Sequence, residues 1–263
     1  MGHNERERRR LALQASILQP FTESLFRRAG ITTGMRILDI GCGVGDVSLL
    51  AARLTGRTGS VTSVDIDTAA LEIVRERAAA EGLHNISCIE TDIHTFEPQH
   101  LFDAVVGRHI LIHTRDPLSI LKACRALLHP RGIAAFQEYD FQHIQFSYPA
   151  SPVRDRVFSV FNAFFAAAAH ANMGTRLFHL FGEAGFDHPD CRGEFPVDGG
   201  PKSPHHEWIA EALRSILPRA EALNIPEAAD IGIDTLEDRL REESRSGAGL
   251  SGPIMFGCFA RRP

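Results

Sequence analysis

The decapeptide Ile37-Leu38-Asp39-Ile40-Gly41-Cys42-Gly43-Val44-Gly45-Asp46 constrains this chain more than any other stretch. An apolar run halts at glycines on every second position, and a helix-forming sequence follows at once. A strand that gives way to a helix over so few residues commits its neighbourhood to an α/β arrangement. Glycines in the turn supply unusual φ values and remove side-chain bulk. A ligand can then approach the backbone where the helix start offers unpaired N–H groups. Two features exclude a dinucleotide fingerprint. Asp39 ends the first strand, where a pyrophosphate would meet a carboxylate, and Asp46 stands where a third glycine is required. A cationic ligand is favoured instead.

From Arg36 to about Glu138, strand-like and helix-like segments alternate. Arg36 to Ile40, Ser60 to Asp65, Ile86 to Thr91, Phe102 to Gly107 and Ile133 to Gln137 read as strands. Asp46 to Leu54, Thr68 to Glu81 and Pro117 to Leu128 read as helices, the last two N-capped by Asp67 and Asp116. Five strands separated by helices require right-handed crossovers and a parallel sheet, so the fold class is α/β, doubly wound. Ahead of this core, Glu5 to Arg28 is an amphipathic helical segment broken at Pro20. Its cluster of Arg6, Arg8, Arg9 and Arg10 reads as a solvated, ion-paired helix start. Beyond Tyr139, Phe158, Phe161, Phe164 and Phe165 lead into an alanine run. A helical pattern from Thr175 to Ala184 and an insertion near 203–245 precede a last strand-like segment, Ile254 to Ala260. These pieces read as a helical cap over the sheet.

The 263 residues carry 28 basic and 33 acidic side chains, a net charge of −5 that excludes a grossly basic nucleic-acid binder. The 5 cysteines (Cys42, Cys88, Cys124, Cys191, Cys258) are odd in number and form no C-x-x-C pair, which reads as a reduced protein. The polar start lacks the apolar stretch of a secretory signal, and no run approaches the roughly 18 apolar residues of a membrane span. The expectation is a cytoplasmic protein that binds no membrane.

Acids recur at the strand ends. Asp65, closing the second strand, is suited to both hydroxyls of a ribose, and Asp92 beside Ile93, closing the third, to an adenine amino group and ring face. Three acids in register over consecutive strands read as a cradle. With these residues in view, Arg36 to about Glu138 resembles the class I S-adenosylmethionine-dependent methyltransferases. Asp39 to Gly45 matches their first motif, Val64-Asp65-Ile66 the second and Thr91-Asp92-Ile93 the third. Phe102 to Val106 and Leu128 to Gly132 resemble their later strand and turn segments. The resemblance implies S-adenosyl-L-methionine as cofactor. Asp39 and the turn Gly41-Cys42-Gly43 would face the methionine moiety, Asp65 the ribose, Ile66 an adenine face, and Asp92 with Ile93 the adenine edge. Arg108 joins this set at the fourth strand end. It also implies a Rossmann-like seven-stranded sheet whose last strand, Ile254 to Ala260, is antiparallel. In that frame the chain is a single methyltransferase domain over 1–263. An N-terminal helical lid spans 1–30, a cofactor-binding core 31–140, and cap segments 141–173 and 203–245.

Ligands of open α/β sheets bind beyond the carboxyl ends of the strands. Arg108, His109 and His113 follow the fourth strand, and Glu138, Tyr139, Asp140 and His143 the fifth. Glu138 ranks first as general base or substrate anchor, with His109 and His113 behind it. His109 and His113 are spaced as zinc ligands on a helix would be. No Glu lies between them and no third ligand is evident, so no metal is expected. Of 17 phenylalanines, Phe141 and Phe146 are assigned with Tyr139 to an apolar substrate pocket, and most others to packing. His205 and His206 read as surface residues. The expected reaction is methyl transfer to an oxygen, nitrogen or carbon of an apolar or aromatic small molecule. Alternatives are a non-catalytic S-adenosylmethionine-binding or interaction protein and, less favoured, a nucleic-acid methyltransferase. Sequence sets neither the acceptor nor the oligomeric state.

Overall fold

The computed structural model describes residues 5–142, 147–168, 170–247 and 249–263. In chain order the first half comprises α1 (Glu5–Ala29), β1 (Arg36–Ile40), α2 (Asp46–Thr55), β2 (Ser60–Asp65), α3 (Thr68–Ala80), β3 (Ile86–Glu90), β4 (Phe102–Arg108), α4 (Pro117–Ala126) and β5 (Leu128–Asp140). The second half comprises β6 (Ser147–Tyr148), α5 (Pro152–Ala168), α6 (Met173–Glu183), β7 (Asp187–Glu194), β8 (Val197–Gly199), α7 (His205–Ala222), α8 (Leu236–Ser244), β9 (Gly249–Ser251) and β10 (Ile254–Arg261). Their contacts divide the chain into two compact units.

The sheet unit holds Leu18–Glu138, Gly174–Gly193 and Phe256–Pro263. Its seven strands run in the order β3-β2-β1-β4-β5-β10-β7. β1 pairs parallel with both β2 and β4, β2 with β3, and β4 with β5. β10 is the antiparallel strand, as the family resemblance implied. β1 is buried on both faces beyond its first residue, which explains an apolar run with no polar alternation. One face of the sheet packs Ile37, Val61, Ala104, Val106, Ile133 and Ala135 against Val47, Leu50 and Ala51 of α2 and Leu25, Phe26 and Ala29 of α1. Each large apolar side chain so buried contributes about 1.5–3 kcal/mol. Two helix starts are fixed as the sequence indicates. The Asp67 carboxylate accepts the amides of Ala69 and Ala70, and that of Asp116 accepts the amide of Ser119.

Several expectations need correction. α1 runs unbroken through Pro20, held on its inner side by buried Leu18, Leu25 and Phe26. The 91–101 connection between β3 and β4 contains no helix, so the strands are not all separated by helices. β5 begins at Leu128, with an irregularity in its pairing to β4, and not at Ile133. β7, with the polar sequence DHPDCRGE, was not expected as a strand. Because β7 and β10 are neighbours in the sheet, Cys191 and Cys258 meet in a disulfide across a sequence separation of 67. The reading of five reduced cysteines is therefore wrong; Cys42, Cys88 and Cys124 are the free ones.

The second unit holds residues up to Ile17, Tyr139–Met173 and Glu194–Met255. Here α5, α7 and α8 pack on one another, beside a small antiparallel sheet of order β6-β9-β8. Glu243 of α8 accepts the amide of Val153 and the hydroxyl of Ser151, satisfying the start of α5. Arg6 and Arg9 are ion-paired as expected, with Glu211 and Glu207, whereas Arg10 is buried and donates to Gln14, so the cluster is not wholly solvated. His205 and His206 are buried, not superficial. Nδ1 of His205 lies 3.1 Å from Asp198, Nε2 of His206 lies 3.0 Å from the Gly200 carbonyl, and burial pulls both imidazoles below their ordinary pKa. Among the described residues no helix is long and apolar enough to cross a membrane.

Candidate functional site

The carboxyl ends of β1, β2, β4 and β5 meet around the glycine turn. Gly41, Gly43 and Gly45 have φ of 59°, 51° and 88°, the left-handed region in which a side chain is costly. A Cβ on Gly43 would meet nothing within 4 Å, so that peptide faces open space. A Cβ on Gly41 would strike the side chain of Ile110, with its Cγ1 only 2.9 Å away. The turn is held from β2. Asp65 accepts the amide of Gly43 at 2.8 Å through one carboxylate oxygen and that of Asp67 at 3.0 Å through the other. Each oxygen keeps a lone pair for a further donor.

The three acids do not stand in register. Asp39 pairs with Ser63, and Asp65, two residues beyond Ser63, pairs with Glu90, two residues before Asp92. The step of two within β2 puts Asp39 and Asp65 on one face of the sheet, while Asp92 lies in the loop beyond the end of β3. Their environments differ accordingly. Asp39 is buried beneath the turn and accepts the Ser48 hydroxyl at 2.6 Å, while Ser48 accepts that of Ser63 at 2.7 Å. Burial pushes the Asp39 carboxyl up to about 7, against the Ser48 hydrogen bond and the charge of Arg108. Asp92 is exposed and accepts the amide of His94 at 2.8 Å, a local turn bond. Ile66 is 75% exposed beside Asp65, an apolar face that folding leaves uncovered, whereas Ile93 is buried. Cys42 is buried too, and burial drives its thiol far up.

A polar chain that sequence reasoning missed links this region to α1. Arg77 and Arg108 both pair with Asp46 at the start of α2, and Arg77 also bonds the Val44 carbonyl. Arg108 reaches Thr22 at 3.1 Å, and Thr22 donates to Gln137 at 2.7 Å. Nothing in local sequence pattern pairs residues so far apart.

His109 and His113 do not share a helix face. His109 has φ of 56° and ends the β4 ladder, with its amide bonded to the Gln137 carbonyl, while Leu111–His113 forms a single 3-10 turn. The spacing argument for paired zinc ligands therefore falls. Among the described residues no three His, Cys, Asp or Glu side chains form a metal-binding group. Glu138 is fully buried, and its carboxylate accepts the amides of Ile110 at 3.0 Å, Leu111 at 2.8 Å and Ile112 at 3.2 Å. Burial pushes its carboxyl up to about 8 against the pull of those three bonds. In the second unit, Tyr139 and Phe141 lie in an aromatic cluster. Their rings are 5.3 Å apart, and Phe141 stacks on Phe165 at 4.5 Å. Phe146 and His143 fall outside the described residues.

The strand ends around the glycine turn present a distinct set of donors and acceptors. They offer a glycine turn with one open peptide, a carboxylate with spare lone pairs at the neighbouring strand end, and a bare aliphatic face next to it. Comparisons with known proteins give the family and the fold. A family model described as a methyltransferase domain matches residues 31–185. A ubiquinone biosynthesis O-methyltransferase of Actinobacillus pleuropneumoniae is 38% identical over 109 residues, covering 39% of this chain and 45% of that protein. The chain thus spans under half the length of the curated relatives it matches. Among solved structures, the 4+2 cyclase SpnF aligns over 93% of this chain and 81% of its own, with a TM-score of 0.56 at 19% identity. A SAM-dependent methyltransferase from Aquifex aeolicus aligns over 92% and 89%, with a TM-score of 0.51 at 14% identity. At such identities the likeness concerns the fold alone, and the cyclase is a reminder that one fold serves several reactions.

Proposed function

Since the chain belongs to the methyltransferase domain family, we propose that it transfers the methyl group of S-adenosyl-L-methionine to a nucleophile on an apolar or aromatic small molecule. The O-methyltransferase name of its curated relatives favours oxygen over nitrogen or carbon as the acceptor atom. The observation that carries this reading is the pairing of Asp65 with the Gly43 amide beside exposed Ile66, which readies one strand end for a nucleoside.

In this reading Asp65 takes the ribose hydroxyls, Ile66 the adenine face, and Asp92 and Ile93 the adenine edge. The open peptide at Gly43 and its neighbours Gly41 and Cys42 receive the methionine moiety, with Arg108 beside them. When bound, the cofactor supplies an electrophilic methyl on a sulfonium. The chain's share of the work is to align the acceptor and exclude water, so that charge is neutralised away from a competing solvent. Asp39, deep under the turn, adds negative potential that favours a cation. His109 and His113 are the side chains we assign to proton removal from the acceptor, since an imidazole within reach of a hydroxyl can accept its proton. We assign Tyr139, Phe141 and Phe146 to the acceptor.

Titration calorimetry with S-adenosylhomocysteine, followed by turnover on a panel of hydroxylated aromatics read as S-adenosylhomocysteine release, tests the proposal. Binding with acceptor-dependent release is expected. Absence of binding would refute it.

A further inference from the structure

Both oxygens of Glu138 accept backbone amides. The carboxylate stands at the end of β5, where it follows Gln137, the register partner of Arg108, the final residue of β4. One residue after Arg108 the chain turns away from the ladder at His109, in a left-handed conformation that costs a non-glycine residue of order 1 kcal/mol or more. That turn directs three successive amides, those of Ile110, Leu111 and Ile112, onto the Glu138 carboxylate at 2.8–3.2 Å. With Leu111 and Ile112 buried, these amides would otherwise be costly to leave unpaired. The side chain of Ile110 is thereby fixed between two glycines. A Cβ on Gly107 would lie 3.0 Å from its Cγ2, and one on Gly41 would lie 2.9 Å from its Cγ1.

We propose that Glu138 is a positioning residue of the donor site and not its base: its carboxylate gathers the amides of Ile110 to Ile112 and so seats Ile110 as the wall of the glycine turn. The assignment rests on the glycine turn being the donor site. A base must present an oxygen to the acceptor, whereas this carboxylate is fully buried and each of its oxygens already accepts at least one backbone amide. The glycines complete the argument. Gly41 and Gly107 lack side chains where Ile110 needs room, so the clamp, the wall and the turn form one assembly contributed by β1, β4 and β5. The roles given to His109 and His113 depend on it as well, because the clamped segment lies between them.

Hydrogen exchange read at the amides of residues 110–112, together with S-adenosylhomocysteine titrations of wild type, Glu138→Gln and Ile110→Ala, tests this. In Glu138→Gln an NH2 group replaces one acceptor oxygen and opposes an amide donor. Exchange at 110–112 should rise at least about tenfold while β4 and β5 stay protected, and S-adenosylhomocysteine should bind about tenfold more weakly. Ile110→Ala should keep the amide protection and lose about fivefold in affinity. A base would leave both readouts unchanged in Glu138→Gln, and that result overturns the proposal. Should Glu138→Gln fail to fold, unchanged affinity in Ile110→Ala overturns it, and weakened affinity with intact protection supports it. Wild-type protein that does not bind S-adenosylhomocysteine defeats the donor-site reading first, and the role of Glu138 there with it.

Discussion

Replacing Asp39 by Asn separates the two things a buried acid does at a cation site: it weakens the empty protein and strengthens the loaded one. The carboxyl rises from its usual 3.8 to about 7, burial being the main cause. Between those values the native state holds a proton that the unfolded chain has already released. Stability therefore falls as pH rises from about 4, and the loss is complete once pH passes about 7. At about 1.4 kcal/mol per pH unit, the rise to about 7 amounts to at most about 4 kcal/mol of native-state cost at pH 8. Asn keeps an oxygen for the Ser48 hydroxyl and cannot ionise. Urea unfolding at pH 5, 6.5 and 8 should find Asp39→Asn more stable than wild type at pH 8, with the advantage shrinking steadily toward pH 5. Glu138 titrates in both proteins and cancels from the difference. Calorimetry at pH 8 should show the variant losing more affinity for S-adenosylmethionine than for the uncharged thioether S-adenosylhomocysteine. An advantage that does not vary with pH, or equal losses for the two ligands, would refute the electrostatic account.

Two further outcomes follow from particular contacts. Asp65→Ala removes the acceptor of the Gly43 and Asp67 amides as well as the ribose partner, and should weaken S-adenosylhomocysteine binding by about 1–3 kcal/mol in calorimetry; unchanged affinity would count against the ribose role. The bridge between Cys191 and Cys258 closes a loop of 67 residues, for which chain entropy gives about 4 kcal/mol. Reductant should therefore lower the urea midpoint of wild type and leave Cys191→Ser unmoved. Alkylation of the unfolded, unreduced protein should label Cys42, Cys88 and Cys124 only, and labelling of all five would show the bridge absent.

What was legible in the sequence is what neighbouring residues decide among themselves. Asp67 and Asp116 cap helices that begin one residue later, and the glycines after Ile40 mark a turn that closes within its own few residues. Long apolar strands announce themselves through burial on both faces. β7 does not: its residues are polar and half-exposed, and its place is set by β10, which lies more than 60 residues later. The disulfide and the burial of His205 and His206 were hidden for the same reason, since each depends on a partner brought in by the fold. At the site, residue types at strand ends were readable and their orientation was not. Asp39 reads as a ligand-facing strand-end acid and is buried beneath the turn, and Glu138 reads as a reactive group and accepts three amides. No local pattern places Ile110 over Gly41, although the two are brought together by adjacent parallel strands.

The position of β10 between β5 and β7 bears on how the molecule is made. A ribosome delivers β1 to β5 and then β7 long before residues 254–261, so two strand edges wait unsatisfied while the second unit is being synthesised between them. Nascent chains interrupted in that interval would expose templates for pairing with one another. Chaperone dependence should peak for fragments that stop short of Ile254.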